Sequence, residues 1–336
     1  MGPNATPGQD ALAIVSDPFA RKDRFLLLTH EDPDGDAVGS LLGLGEGLEI
    51  LGKHATLLVE GRLPRLYGFL PGVEKIGNRL EEVESFEAAV LLDCHSLERA
   101  GREAERARGV PCRIILDHHL VTGPVEATHA YIDPGVAATG EIVYRLLKRL
   151  GVPWTASLAT NLFTAITTDT GSFSFDNTTA DCLEAAADLV RAGARPWQIF
   201  QHLHLELPVG RLDLLRRALE RLELHHQGRL GIMAVDADMM KQSGTTGEDV
   251  EGFVDYPRSV RGVELAVLIR ENGHGRYDVS LRSQGRINVS ALAETFGGGG
   301  HHNAAGFSQK ARSLSDIKGR IVSAAAPLLA EGEAAS

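Results

Sequence analysis

The stretch LLLTHEDPDGDAVGS, over positions 26–40, places a histidine and several acids directly after an apolar run. Within it, Asp34 and Asp36 lie on a Pro-Asp-Gly turn close to His30. Such a turn lets carboxylate and imidazole groups converge, and these donors suit divalent metal ions. As an alternative, Asp36 could be the N-cap of the following helix. A cap needs only one acid, so the additional Asp and His favour metal binding.

Two later apolar runs also end in acids or histidines. Asp93 ends the run in VLLDCHS, and Asp117, His118 and His119 end the run in IILDHHL. A strand-end Asp can simply occupy a turn, and the histidines could be solvated. Adjacent residues of a strand point to opposite faces, so we expect one histidine to bind metal and the other to face a substrate. Asp117 could then fix the tautomer of the metal-binding histidine.

The fourth polar segment is TTDTGSF, in which Asp169 follows a helical pattern. Together the segments offer six oxygen and nitrogen donors and no thiolate: His30, Asp34, Asp36, Asp93, His118 and Asp169. This set exceeds the needs of one tetrahedral zinc ion. It suits a pair of octahedral ions that share a carboxylate.

The elements that must position these residues are strands of one sheet. From about residue 24, short apolar β-type runs alternate with helical stretches, which predicts an α/β fold with a parallel sheet flanked by helices. The carboxyl ends of parallel strands face one crevice. Segments that are distant in the sequence therefore deliver their polar ends to one place. Helices are predicted over Ala138–Leu150 and Thr155–Thr168, and only the termini look disordered.

The second part of the chain has a different pattern. A helical stretch interrupted by Pro208 and Gly210 predicts a connector between domains. We place a metal-binding domain over 1–195, a helical linker over 196–222 and a smaller C-terminal α/β domain over 223–336. In the last, GVELAVLIRE and YDVSLRS are predicted strands joined by a hairpin at NGHGR.

A second group of candidate residues lies in this C-terminal domain. The strand VSLRS carries Ser280 and Arg282, and the glycine run Gly297–Gly300 is followed by His301 and His302. Glycines let backbone N–H groups approach an anion, and arginine binds phosphate through two hydrogen bonds. A glycine run alone could be a flexible loop. The adjacent histidines favour a phosphate site.

Composition excludes several classes of protein. The 34 basic and 45 acidic residues give a net charge of −11, which argues against binding of long duplex nucleic acid. Three widely separated cysteines predict neither disulfides nor a thiolate zinc site. No apolar run suits a membrane span and the first ten residues do not resemble a signal peptide. We therefore expect a cytoplasmic protein.

These motifs together resemble the DHH/DHHA1 phosphoesterase superfamily. THEDPDGDAVGS fits the first motif, LLDCHS the second, LDHH the third and TDTGSF the fourth, while GGGGHHNAAG fits the DHHA1 signature. They occur in order across nearly the full chain. The resemblance implies an N-terminal DHH domain, a C-terminal DHHA1 domain and phosphoesterase activity.

The resemblance also implies a site with two Mn²⁺ ions, for which Mg²⁺ or Co²⁺ could substitute. Its ligand positions fall on the six donors above: His30 and Asp34 for the first ion, Asp36, His118 and Asp169 for the second, and Asp93 for both. His119 would contact the scissile phosphate, and we expect it to be catalytic together with Asp93 and Asp117. The expected substrate contacts are Ser280, Arg282, Gly299, Gly300, His301 and His302. The family signature leaves position 302 free, so which histidine faces phosphate stays open.

Within the superfamily, the chain looks most like the NrnA-type enzymes, which are oligoribonucleases and 3′-phosphoadenosine 5′-phosphate (pAp) phosphatases. We therefore expect hydrolysis of RNA or DNA oligonucleotides of two to five residues to mononucleotides, and of pAp to AMP, by metal-activated water. The alternative is a phosphodiesterase for cyclic or linear dinucleotides such as cyclic di-AMP or pApA. A non-catalytic nucleotide-binding protein would be expected to have lost ligands. Whether the protein forms a homodimer stays open.

Overall fold

The structure is a computed structural model that describes residues 9–80, 86–121, 125–273, 275–300 and 302–330. The chain divides into two compact units, Met1–Glu206 and Leu207–Ser336. The predicted linker is shared between them, because helix Pro196–Phe200 lies in the first unit and helix Val209–Leu219 in the second. The predicted bounds 1–195, 196–222 and 223–336 stay a prediction.

The first unit contains a parallel sheet of six strands. These are β1 (Arg24–Leu28), β2 (His54–Leu58), β3 (Ile76–Gly77), β4 (Ala88–Leu92), β5 (Cys112–Asp117) and β6 (His129–Ile132). Their order across the sheet is β3-β2-β1-β4-β5-β6. Phe25 and Leu27 pack into the core on one face, and Leu26 and Leu28 into the core on the other. Continuous apolar runs therefore mark strands covered on both faces, and the predicted α/β fold is confirmed.

Helices cover both faces of this sheet. They are α1 (Gln9–Arg21), α2 (Gly35–Ile50), α3 (Arg102–Glu105), α4 (Thr139–Arg149), α5 (Ala156–Asp169), α6 (Ala180–Ala192) and α7 (Pro196–Phe200). The predictions for α4 and α5 were correct to one residue at each end. A Cβ atom at Gly35 would lie 2.4 Å from Thr168 Cγ2, and one at Gly39 would lie 2.5 Å from the backbone oxygen of Asn161. Glycine thus allows the start of α2 to lie against the end of α5.

Four elements of this unit were not predicted: α1, β3, α3 and β6. Helix α1 occupies part of the N-terminal region that looked disordered, and Phe19 on it is buried and stacks on Phe25 with ring centroids 5.4 Å apart. Strand β6 has the short sequence HAYI and extends the sheet through its pairing with β5. Strand β6 is short and has no long apolar run, whereas α1 contains the apolar run ALAIV but lies at a terminus that was expected to be disordered.

The second unit contains another sheet of six strands. These are β7 (Glu223–His225), β8 (Leu230–Val235), β9 (Leu265–Glu271), β10 (Arg276–Ser283), β11 (Gly299–Gly300) and β12 (Ala304–Lys310), in the order β11-β12-β10-β9-β8-β7. Strands β8 and β9 are parallel and the other pairs are antiparallel. The predicted hairpin therefore joins β9 to β10.

The helices of this unit are α8 (Val209–Leu219), α9 (Ala237–Ser243), α10 (Asp255–Ser259), α11 (Val289–Glu294) and α12 (Leu314–Ala330). Ile317 and Ile321 of α12 belong to one core beside the sheet, and Leu214 of α8 belongs to a second core. The C-terminal domain is therefore α/β, as predicted. Within the described ranges, no helix has both the length and the apolar character needed to cross a membrane.

Candidate functional site

Adjacent strands of the first sheet bring the predicted ligands together. Strands β1, β4 and β5 are neighbours, and His30, Asp93 and His118 follow their carboxyl ends. The start of α2 adds Asp34 and Asp36, and the end of α5 adds Asp169. All six residues lie in one cluster. Their role as ligands stays a prediction.

The cluster contains overlapping groups of donor atoms that lie within 4.8 Å of one another. One group is His30, Asp34 and Asp93, and another is Asp36, His118 and Asp169. His30 Nε2 lies 3.6 Å from Asp93 Oδ2, while His118 Nε2 lies 3.5 Å from Asp93 Oδ1. The two oxygens of Asp93 therefore face different groups. Carboxylate and imidazole donors in this arrangement fit a pair of divalent ions.

Asp34, rather than Asp36, is the N-cap of α2. Its carboxylate accepts a hydrogen bond from Ala37 N at 3.0 Å. The proposed cap at Asp36 was wrong, because the helix begins at Gly35 and Asp36 already lies in its first turn. The Asp36 side chain is instead fully buried and turned into the cluster.

Both histidines of the LDHH motif contact Asp93. His118 Nε2 and His119 Nδ1 lie 3.5 and 3.4 Å from Asp93 Oδ1, and their ring centroids are 4.8 Å apart. The expected alternation between opposite faces was wrong, because β5 ends at Asp117 and the histidines lie beyond it. Both rings can therefore face the same cluster.

Asp117 orients His119 and a histidine that the sequence analysis did not include in the site. His119 donates to Asp117 Oδ1 from Nδ1 at 2.7 Å and from its backbone N–H at 3.0 Å. His95 Nδ1 lies 3.2 Å from Asp117 Oδ2. Burial alone would raise the pKa of Asp117, but these hydrogen bonds hold it well below its usual range. The only signal for His95 was its place near a strand end.

Burial and mutual repulsion oppose the ionisation of two predicted ligands. Burial of the carboxyl group, with the charges of Asp93 and Asp169, raises the pKa of Asp34 to about 6, although the residue as a whole is exposed. The same causes raise the pKa of Asp36 well above its usual range. Bound cations would relieve this repulsion.

The imidazoles partly offset the clustered negative charge. Burial alone would raise the pKa of Asp93, but His119, His30 and His118 together lower it. Burial alone would lower the pKa of His118, but its hydrogen bond to Asp169 and the nearby carboxylates raise it well above the usual value. The imidazoles therefore favour the ionised form of Asp93, and the carboxylates favour the protonated form of His118.

Several backbone conformations around the cluster are unusual. Asp93 has a φ of 56°, in the left-handed region that non-glycine residues rarely adopt. Directly after Asp169 and Thr170, the residues Gly171, Ser172 and Phe173 have φ values of 53°, 58° and 64°. Such strain persists only where surrounding structure imposes it, and it is common at functional sites.

The start of α4 supplies contacts that sequence reasoning missed. Asp36 accepts hydrogen bonds from Thr139 N at 2.6 Å, Gly140 N at 2.8 Å and Ser40 Oγ at 3.0 Å. The Thr139 hydroxyl donates to Asp93 Oδ1 at 3.0 Å. Thr139 and Gly140 lie 103 and 104 positions from Asp36, and the stretch ATGE predicted only a helix start.

In the second unit, four of the predicted substrate contacts lie on β10 and β11. Ser280 pairs with Gly306, which in turn pairs with Gly299, so the three residues form one row across the strands. Arg282 lies on the same face of β10 as Ser280, and burial is the main cause that lowers its pKa. Gly300 is the next residue of β11.

Of the two C-terminal histidines, His302 lies within the described residues. His302 is exposed, and its Nε2 donates to the backbone oxygen of Gly285 at 2.7 Å. His301 lies outside the described residues. Which of them faces a phosphate stays open.

Comparison with known proteins gives the family of this chain. Residues 24–188 match the family model for the DHH family, N-terminal domain, and residues 230–326 match the DHHA1 domain. The chain is 36% identical over 301 residues to the bifunctional oligoribonuclease and PAP phosphatase NrnA of Thermus thermophilus, covering 89% of this chain and 88% of that protein. The chain belongs to the DHH family of phosphoesterases. The family resemblance of its motifs is confirmed.

Two further similarities describe this DHH protein. It is 26% identical to the cyclic-di-AMP phosphodiesterase PdeA of Listeria monocytogenes, over 91% of this chain but 48% of that protein. It superposes on the crystal structure of an exopolyphosphatase-related protein from Bacteroides fragilis with a TM-score of 0.88 and 25% identity, covering 96% and 98% of the two chains. This DHH protein and that protein therefore share a fold.

Proposed function

We propose that this DHH protein is a two-metal phosphoesterase that hydrolyses short oligonucleotides to mononucleotides and pAp to AMP. The observation that carries the proposal is the position of Asp93, whose two oxygens face two groups of metal donors. The proposed substrates follow the name of the Thermus thermophilus relative. A cytoplasmic location is part of the same proposal.

The donor chemistry of the cluster fits two Mn²⁺ ions, because carboxylate oxygens and imidazole nitrogens suit such ions and no cysteine belongs to the described donor groups. When bound, divalent ions lower the pKa of water and stabilise negative charge on a phosphoryl group. The residues that would hold them are His30 and Asp34 on one side, Asp36, His118 and Asp169 on the other, and Asp93 between.

Other residues of the site would bind and orient the substrate. Burial alone would lower the pKa of His119, but Asp93 and the hydrogen bond that Asp117 accepts from Nδ1 raise it. The protonated imidazole can then donate from Nε2 to a phosphate oxygen. In the second unit, Arg282 and Ser280 would contact substrate phosphate, with Gly299, Gly300 and one of His301 and His302. An arginine fork matches the geometry of phosphate.

The first test is Asp93→Asn, which nearly preserves side-chain size but removes the charge that faces both donor groups. Substitution of a residue that orients a metal ligand typically lowers metal affinity or activity by about 10–100-fold. Because Asp93 is itself a predicted ligand, we expect kcat with Mn²⁺ to fall by more than about 100-fold. The control is Asp17→Asn, at an exposed ion pair of α1. Near-normal hydrolysis by Asp93→Asn would contradict the two-metal proposal.

The second test is a substrate panel. Turnover of pAp and of two- to five-residue RNA and DNA should exceed turnover of cyclic di-AMP and pApA. The reverse order would favour the dinucleotide phosphodiesterase, a second candidate supported by the similarity to PdeA. If none of these substrates is hydrolysed with Mn²⁺, Mg²⁺ or Co²⁺, the result would favour a non-catalytic nucleotide-binding protein instead.

A further inference from the structure

The first turn of α4 is built against the predicted metal ligands. Thr139 is fully buried and makes hydrogen bonds to two carboxylates, through its backbone N–H to Asp36 and through its hydroxyl to Asp93. These two acids belong to different donor groups, His30–Asp34–Asp93 and Asp36–His118–Asp169. One residue therefore links the two halves of the cluster.

The turn that carries Thr139 is held in place from its other side. The residue before it, Ala138, has no side chain that could cap α4. Instead, Glu141 accepts a hydrogen bond from Ala137 N at 3.1 Å and forms an ion pair with Arg145. Glu141 is fully buried. The position of Thr139 is thus set by fixed contacts rather than by the carboxylates alone.

Close packing also requires a small residue next to Thr139. A Cβ atom at Gly140 would lie 2.5 Å from Ala165 Cβ and 3.4 Å from Asp36 Oδ1. Glycine at this position therefore lets the backbone approach Asp36 and donate to it. The partial positive charge of a helix N-terminus further favours a carboxylate there.

We propose that Thr139 is a positioning residue, whose hydroxyl fixes the orientation of the Asp93 carboxylate relative to Asp36 and thereby sets the affinity of the site for divalent ions. A carboxylate oxygen accepts more than one hydrogen bond or metal bond. The hydroxyl occupies one of these directions on Asp93 Oδ1 and leaves the others toward the imidazoles. This inference rests on the proposed two-metal function.

The test compares Thr139→Val with Thr139→Ser in the full-length protein. Valine has nearly the same shape as threonine but cannot donate a hydrogen bond, whereas serine keeps the hydroxyl. Thr164→Val is the matched control, because Thr164 is equally buried and its hydroxyl bonds to the backbone oxygen of Thr160. Mn²⁺ affinity and stoichiometry are measured by titration calorimetry, and kcat and KM with two-residue RNA at saturating Mn²⁺.

We expect Thr139→Val to weaken Mn²⁺ binding by about 10–100-fold, the usual effect of losing a residue that orients a metal ligand. At saturating Mn²⁺, kcat should fall while KM changes little, and Thr139→Ser should restore most of both Mn²⁺ affinity and kcat. Thr164→Val should behave as the wild type.

Two results would overturn the inference. One is wild-type Mn²⁺ affinity in Thr139→Val, and the other is an equal loss in Thr139→Ser, which would assign the effect to packing of the methyl group. If Thr139→Val does not fold, Thr139→Ala takes its place under the same criteria. Failure of the proposed function is distinguishable, because the wild type itself would then neither bind Mn²⁺ nor hydrolyse the RNA.

Discussion

At the scale of single residues, Asp93 combines two properties. Its carboxylate lies between two groups of donors, and its backbone has a positive φ. The second property explains how the first arises, because a left-handed residue directly after β4 turns the chain sharply away from the strand direction. The local strain, of order 1–3 kcal/mol, must be offset by surrounding packing and hydrogen bonds.

His95 offers a prediction at this scale. Its Nδ1 must carry the proton shared with Asp117, because a carboxylate only accepts. His95→Asn places an amide donor near the position of Nδ1, whereas His95→Gln places it near Nε2. We expect His95→Asn to keep kcat close to the wild-type value and His95→Gln to lower kcat by about 10-fold, because Asp117 would lose the donor at Oδ2 that helps to hold its carboxylate beside His119.

The measurement is kcat and KM with two-residue RNA at saturating Mn²⁺. His95→Ala gives the loss when neither nitrogen is replaced. Better activity in His95→Gln than in His95→Asn would contradict the prediction and would indicate that His95 acts through Nε2.

The predicted ligands could be identified from the sequence, whereas the residues that orient them could not. His30, Asp93 and His118 each follow an apolar run, so the rule that parallel strands end at one crevice brings them together. Thr139 contacts a residue 46 positions away, and His95 contacts one 22 positions away. No periodicity or turn signal predicts such pairs, because they depend on how α4 and the loops pack.

At the scale of elements, the glycine run Gly297–Gly300 packs closely against β12 at two of its positions. A Cβ atom at Gly298 would lie 2.1 Å from the backbone oxygen of Gly306, and one at Gly300 would lie 2.5 Å from that of Ala304. The run was interpreted as a phosphate site or a flexible loop. Packing of the run against β12 is a further reason for glycine. Strand β12 itself was missed because Ala304–Gly306 lacks β-branched and aromatic residues.

This packing predicts a difference between neighbouring substitutions. Gly298→Ala should destabilise the second unit by about 1–3 kcal/mol, the usual cost of overpacking, because its Cβ would meet backbone atoms. Gly299→Ala is the matched control, since nothing lies within 4 Å of a Cβ atom there and its φ is not positive.

Hydrogen–deuterium exchange of β10 and β12 and urea unfolding measure the effect. Equal stability of the two alanine variants would contradict it.

At the scale of the whole molecule, each unit has its own sheet and its own hydrophobic cores. The DHH match covers 24–188 and the DHHA1 match covers 230–326, so each family match falls within one unit. The helical stretch interrupted by Pro208 and Gly210 was the reason for predicting a domain boundary in this region, and its bounds stay a prediction. The sequence did not predict that α7 belongs to the first unit and α8 to the second.

Because the donor groups belong to the first unit, Mn²⁺ should stabilise that unit selectively. An ion at 100 times its Kd stabilises the folded state by about 2.7 kcal/mol. We expect removal of metal with EDTA to lower the melting temperature of one calorimetric transition and to leave the other unchanged. In Asp93→Asn, the melting temperatures should no longer respond to EDTA. The prediction would be contradicted if neither EDTA nor Mn²⁺ changed a melting temperature of the wild type.

The left-handed backbone at Asp93 has a consequence for how such a chain changes over generations. Glycine adopts this conformation without strain and would also remove one charge from a crowded, buried cluster. A population screened only for thermal stability in the absence of metal would therefore tend to replace this aspartate. Its persistence in a lineage would then depend on continued selection for the chemistry of the site.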